Sequence, residues 1–143
     1  MIAHHVQNED HPAAEAMPAV TMTAEDHARL STLAHAAADR MPEAASALDD
    51  ELDRAVILAP GRTPESIVRM GSEVEFRDDV SGKTQVLTLV YPEDADIAKG
   101  RISVLTPVGT ALIGLRAGAS ITWRTRGGAL RRLTVIQVRE GVA

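Results

Sequence analysis

Apolar residues first take on a regular spacing after position 22. Leu30, Leu33, Ala34, Ala37 and Met41 recur three and four residues apart, which places them on one face of a helix. Thr23 is placed to cap that helix, and Glu25 and Asp26 fall in its first turn, where negative charge is favourable. Pro42 disfavours helical backbone at Met41 but suits the first turn of a new helix. The next stripe is Ala45, Leu48, Leu52, Ala55 and Val56, with Glu43, Asp49, Asp50, Glu51 and Asp53 on the outer positions. Two amphipathic helices with so short a break predict an antiparallel hairpin over residues 23–58. Each arm of roughly 15 residues would be about 22 Å long. It is a short hairpin.

Ala59-Pro60-Gly61 and Thr63-Pro64 predict a linker over residues 59–67, and beyond it the period changes to two. Val74 and Phe76 alternate with Glu73, Glu75 and Arg77 in a half-buried strand. Asp78–Gly82 is a hairpin loop, and Lys83–Tyr91 a strand rich in β-branched residues, ended by Pro92. An acidic turn containing Glu93, Asp94 and Asp96 precedes a strand at Arg101–Leu105. Thr106-Pro107 then reads as an N-cap followed by a first-turn proline, with Val108, Ala111, Leu112 and Leu115 on the inner face of a short helix closing near Gly114. Ile121 and Trp123 belong to a strand, Gly127-Gly128 to a hairpin turn, and Arg131–Arg139 to the last strand. The prediction is an α+β chain. A helical hairpin is followed, over residues 68–140, by a twisted antiparallel sheet in the order β-β-β-α-β-β. Residues 1–22 mix Ala, Pro, His and acidic residues without period and read as a disordered tail.

Composition narrows the function. The chain has 143 residues and no cysteine, which excludes a disulfide framework and a cysteine nucleophile. Phe76, Tyr91 and Trp123 are its only aromatics, too few for the stacking platforms that bind single strands. The net charge of −5 argues against direct nucleic-acid binding. That charge is unevenly distributed: residues 1–60 carry 3 Lys/Arg against 11 Asp/Glu, whereas residues 61–143 carry 12 against 9. All five histidines lie in the first half. No lysine or arginine precedes Arg29, and no apolar run is long enough to span a bilayer, so the expectation is a cytoplasmic protein.

No nucleophile elbow, phosphate loop, dinucleotide turn or paired-histidine metal motif is present, and the β-rich half contains no histidine. No catalytic, cofactor or metal site is therefore expected. His4, His5 and His11 have no standard metal spacing, and His27 and His35, eight residues apart, read as solvated helix residues. The acidic series Asp49, Asp50, Glu51 and Asp53, with Asp39 and Glu43 flanking the hairpin tip, is either a solvated face or a surface presented to a basic partner. Arg124, Arg126, Arg131 and Arg132 are either a charged sheet edge or an anion-binding patch.

The stretch Ala95-Asp96, Lys99–Val104, Pro107–Gly114 and Gly118 resembles the C-terminal domain of the bacterial GreA/GreB transcript-cleavage factors. Arg69–Val74 resembles the opening of that domain, and the Gly127-Gly128 hairpin fits it as well. The resemblance covers roughly residues 68–139. It implies an FKBP-like fold and docking to RNA polymerase at the rim of its secondary channel, through Leu105, Thr106, Pro107 and Val108. At that segment Thr106 stands where Gre proteins carry serine, and Leu105 stands where they carry an acidic residue. Within the superfamily, Leu48–Ala55 and Val86–Asp96 are more similar to Rnk-type regulators of nucleoside diphosphate kinase. Those proteins have an arm too short to deliver carboxylates to the polymerase active centre. The resemblance thus implies a non-enzymatic regulator competing with Gre factors, with a cleavage factor or a kinase regulator as alternatives. Prolyl isomerase activity needs an aromatic-lined pocket that three scattered aromatics do not supply.

Overall fold

In the computed structural model, residues 17–59, 66–125 and 127–140 are described. The hairpin forms as the pattern requires. Helix α1 (Ala24–Ala37) starts at Thr23, whose hydroxyl accepts the Asp26 N–H at 3.1 Å. Helix α2 (Pro42–Arg54) starts directly on its proline. Leu30 and Ala34 of α1 and Ala45, Leu48 and Leu52 of α2 are buried. Burying leucines of this kind is worth about 1.5–3 kcal/mol each. Met41 departs from the predicted stripe: it sits at the turn and is exposed. His27 is also not a free surface residue, since its Nε2–H donates to Leu52 O at 3.1 Å and joins the two helices.

The predicted tail is corrected at its end nearest the hairpin. Val20 and Met22 are buried, and Thr21–Met22 forms strand β1. Its parallel partner is β2 (Val56–Ile57), so Val56 lies in a strand instead of continuing the helical stripe. Val56 N–H donates to Val20 O at 2.8 Å, and Thr21 N–H donates to Gly114 O at 3.0 Å. The histidines at positions 4, 5 and 11 lie outside the described residues. So does most of the predicted linker, although its last residue, Ile67, is buried and bridged to Arg116.

A five-stranded sheet fills the second half: β3 (Glu73–Asp78), β4 (Thr84–Val90), β5 (Arg101–Ser103), β6 (Ser120–Arg124) and β7 (Leu130–Arg139), with α3 (Pro107–Leu112) between β5 and β6. The spatial order is β5-β4-β3-β7-β6. Most neighbours are antiparallel, but β5 runs parallel to β4, which corrects the all-antiparallel expectation. The acidic connection explains the difference. Its two 3₁₀ turns, Pro92–Asp94 and Ile97–Lys99, reverse the chain, and Gly100 (φ 72°) starts β5 in the same direction as β4. The sheet buries Val74, Phe76, Leu89, Ile121, Leu133 and Val135 in the same cluster that holds Val20, Leu30, Leu48 and Leu112. The hairpin is packed on the sheet domain through a shared core.

Candidate functional site

The segment singled out for docking begins where β5 ends. Ser103 Oγ accepts Leu105 N–H at 3.0 Å, and Thr106 Oγ1 donates to Ser103 O at 2.7 Å while accepting Gly109 N–H at 3.1 Å. Thr110 Oγ1 donates to Val104 O at 2.7 Å. These bonds fold the chain tightly into α3, and a methyl group at Gly109 would stand 2.3 Å from Ser103 O. Leu105 is consequently turned inward and is 5% exposed. That corrects the expectation of a surface residue, and an apolar side chain suits the buried position. The Thr106 hydroxyl is occupied by its cap. Thr106, Pro107 and Val108 are half-buried, and Pro107 and Val108 are the apolar surface that a partner can touch here.

On the arm, Asp39, Glu43, Asp49, Asp50 and Asp53 are exposed. Glu51 is not an outer residue. It is half-buried, its Oε1 accepts Arg54 Nε–H at 3.0 Å, and Arg54 Nη1 donates to Pro18 O at 2.6 Å. Burial pushes the Glu51 carboxyl above its ordinary range, with the Arg54 guanidinium pulling the other way. Among the described residues no group of three or more His, Asp or Glu is disposed to hold a metal ion.

Arm and sheet domain meet across an open cleft of about 900 Å³. Glu43, Ala44, Ala47, Asp50 and Glu51 form one wall, and Leu105, Pro107, Ile121, Trp123 and Arg124 stand on the other. The fold therefore brings Glu43, Asp50 and Glu51 together with Leu105 and Pro107. It leaves Asp39, Asp49, Asp53, Thr106 and Val108 outside the lining. Met17, Arg40, Met41 and Trp123 also line it and were not foreseen as site residues. Trp123 alone carried a signal, as an inward-facing aromatic on a strand next to a glycine turn.

The arm's angle is fixed by contacts at its base. Asp26 Oδ2 accepts Met70 N–H at 3.2 Å, and the Arg29 guanidinium lies 4.5 Å from the centre of the Tyr91 ring. The arginine group, by contrast, is mainly structural. Arg131 bonds to Asp78 and Arg132 to Asp79, both from β7, an inner strand and not the sheet edge. Arg124 Nη1 donates to Gly128 O at 2.8 Å, and Arg126 lies outside the described residues.

Residues 63–140 match the family described as "Transcription elongation factor, GreA/GreB, C-term", and residues 18–58 match "Rnk N-terminus". The chain belongs to the GreA/GreB family, with an Rnk-type arm. It is 44% identical over 94 residues to "Regulator of nucleoside diphosphate kinase" of Escherichia coli strain K12, covering 66% of this chain and 69% of that protein. It is 35% identical over 111 residues to "Transcription elongation factor GreA" of Rhodospirillum rubrum, covering 74% and 71%. Among solved structures, a "Prokaryotic transcription elongation factor GreA/GreB" from Nitrosomonas europaea superposes with a TM-score of 0.66 at 36% identity, over 84% of this chain and 98% of that one. The α+β assignment and the GreA/GreB resemblance hold. The Rnk-type match starts at residue 18, beside the strand Thr21–Met22 that the periodicity missed. By its relatives the chain is a regulator of the transcription-factor type. Among the described residues no helix is long and apolar enough to cross a membrane.

Proposed function

We propose that this chain is a non-enzymatic regulator that binds RNA polymerase near its secondary channel and lacks the reach to stimulate transcript cleavage. The observation that carries the reading is the arm. Its helices have 14 and 13 residues, about 20 Å each, and it is packed against the sheet domain. Such an arm occupies a channel mouth but does not extend far into it. Pro107 and Val108 supply the apolar contact on the rim, and Glu43, Asp50 and their exposed neighbours meet basic surface there. Occupation of the rim would exclude longer cleavage factors.

Binding of the purified chain to core polymerase, in competition with a Gre factor, tests this. Saturable binding that a Gre factor displaces is expected; no binding at low salt overturns it. Shortening of RNA in backtracked complexes by this protein, lost on replacing Asp39 and Glu43, would assign it to the cleavage factors instead. A second reading, regulation of nucleoside diphosphate kinase, is favoured by the 44% identity to the protein of that name. Co-purification of the kinase without polymerase would support it.

A further inference from the structure

Strand β6 closes one side of the sheet, and among the described residues only β7 pairs with it. Ile121 and Trp123 point to one face of the sheet and Thr122 and Arg124 to the other, yet all four line the cleft. A strand can present both faces to one cavity only when its open edge looks into it. In the antiparallel ladder, hydrogen-bonded and non-bonded positions alternate. Thr125 N–H bonds to Ala129 O at 2.9 Å, so two and four positions back the pairs Trp123–Arg131 and Ile121–Leu133 are the bonded ones. The backbone groups of Thr122 and Arg124 therefore face the cleft unpaired within the sheet. Across from them, α2 offers Ala44 and Ala47, small enough to leave room, flanked by Glu43 and Asp50; Glu51 is held by Arg54, and Arg40 lines the cleft beside the turn.

We propose that this cleft takes up an extended, basic segment of a partner polypeptide, which adds a sixth strand beside β6. The open backbone edge supplies the pairing, and Trp123 supplies apolar contact. The exposed carboxylates of Glu43 and Asp50, on an arm that also exposes Asp49 and Asp53, select lysine or arginine on the side facing the arm. The five residues of β6 span about 16 Å, which suits a peptide of similar length. The inference concerns the β6 edge and does not depend on polymerase binding.

Trp123 is the only tryptophan, so its emission reports directly on the cleft. The probe is an acetylated, amidated peptide of alternating lysine and valine, seven residues long, titrated into the full chain. Its control is the same sequence methylated on every backbone nitrogen, which keeps charge and side chains but removes the backbone donors. Saturable change in Trp123 emission is expected, with the methylated peptide weaker by about tenfold for the lost backbone bonds. The double variant Glu43→Lys and Asp50→Lys, at exposed positions, should weaken the unmethylated peptide about fivefold or more without changing the melting curve. Equal affinity of the two peptides, or no saturable change in Trp123, overturns the proposal. Failure here leaves the polymerase assay unaffected, and failure there leaves this result standing.

Discussion

Asp26 Oδ2, in the first turn of α1, accepts the backbone N–H of Met70 at 3.2 Å, across the boundary between arm and sheet domain. The residue is 8% exposed, and burial pushes its carboxyl above the ordinary range of 3.8. Met70 N–H, Arg69 and Arg29 pull in the opposite direction, while Glu25 adds to the rise. One buried acceptor thus helps set the angle at which the arm is carried.

Asp26→Ala should lower stability by about 1–3 kcal/mol in urea denaturation at pH 7, because Met70 N–H loses its partner. Asp26→Asn keeps an acceptor without the charge. A raised folded pKa means that the folded state binds the proton more tightly, so the wild type gains stability as pH falls through the folded pKa towards 3.8. The asparagine variant should lack that gain. A wild type and an Asn variant with parallel stability curves between pH 7 and 3.5 would contradict this account.

Asp79 has the opposite sign. Its carboxylate accepts from Thr134 Oγ1 and Arg132 Nη1, each at 2.7 Å, and from Arg77 Nε at 2.9 Å, and these bonds hold its pKa below 3.8. Its contribution is complete above that pH and is lost as acid titrates the folded carboxylate. Asp79→Ala should reduce stability at pH 7 by about 1 kcal/mol, a small effect because both arginines are solvent-screened. The difference should shrink towards pH 2. A gap that stays constant down to pH 2 would rule out this origin.

Gly114 adopts φ 80°, and a methyl group there would stand 2.5 Å from Val20 Cγ1 and 3.2 Å from Thr21 N. Gly114→Ala should therefore cost at least about 2 kcal/mol and push β1 off the core. Hydrogen exchange at the Thr21 and Val56 amides reads this directly, since both bonds depend on β1 staying in place. Unchanged protection at both would mean that β1 is held by other contacts.

The segment proposed for docking divides by burial. Leu105→Ala should destabilise the fold by about 2–4 kcal/mol. Pro107→Ala combined with Val108→Asp should weaken polymerase binding while costing less stability than Leu105→Ala, because Val108 is only partly buried against the core. A double variant that binds as well as the wild type would remove Pro107 and Val108 from the interface.

Much of this fold is legible one element at a time. The leucine and alanine stripes of α1 and α2, the Thr23 and Thr106 caps and the glycine turns at Gly82 and Gly128 are local features, and local spacing reveals them. Val20–Met22 was missed because three residues without period carry no such signal; they are ordered by bonds to Gly114 and Val56, far along the chain. Glu51 was misplaced for a related reason. Its position on the helical wheel is outward, but Arg54 and the segment at Pro18 close over it.

The chain's own periodicity and residue types thus determined the helical hairpin, the strand order β-β-β-α-β-β, and the absence of cysteine chemistry. The motifs around Pro107 identified the family. Tertiary structure decided which of the marked residues share a site. It turned Leu105 inward, joined Glu43 and Asp50 with Pro107 across one cleft, and opened the edge of β6 towards the arm. Side-chain period reports which face of an element is buried, whereas the angle between elements depends on long-range contacts such as Asp26 with Met70.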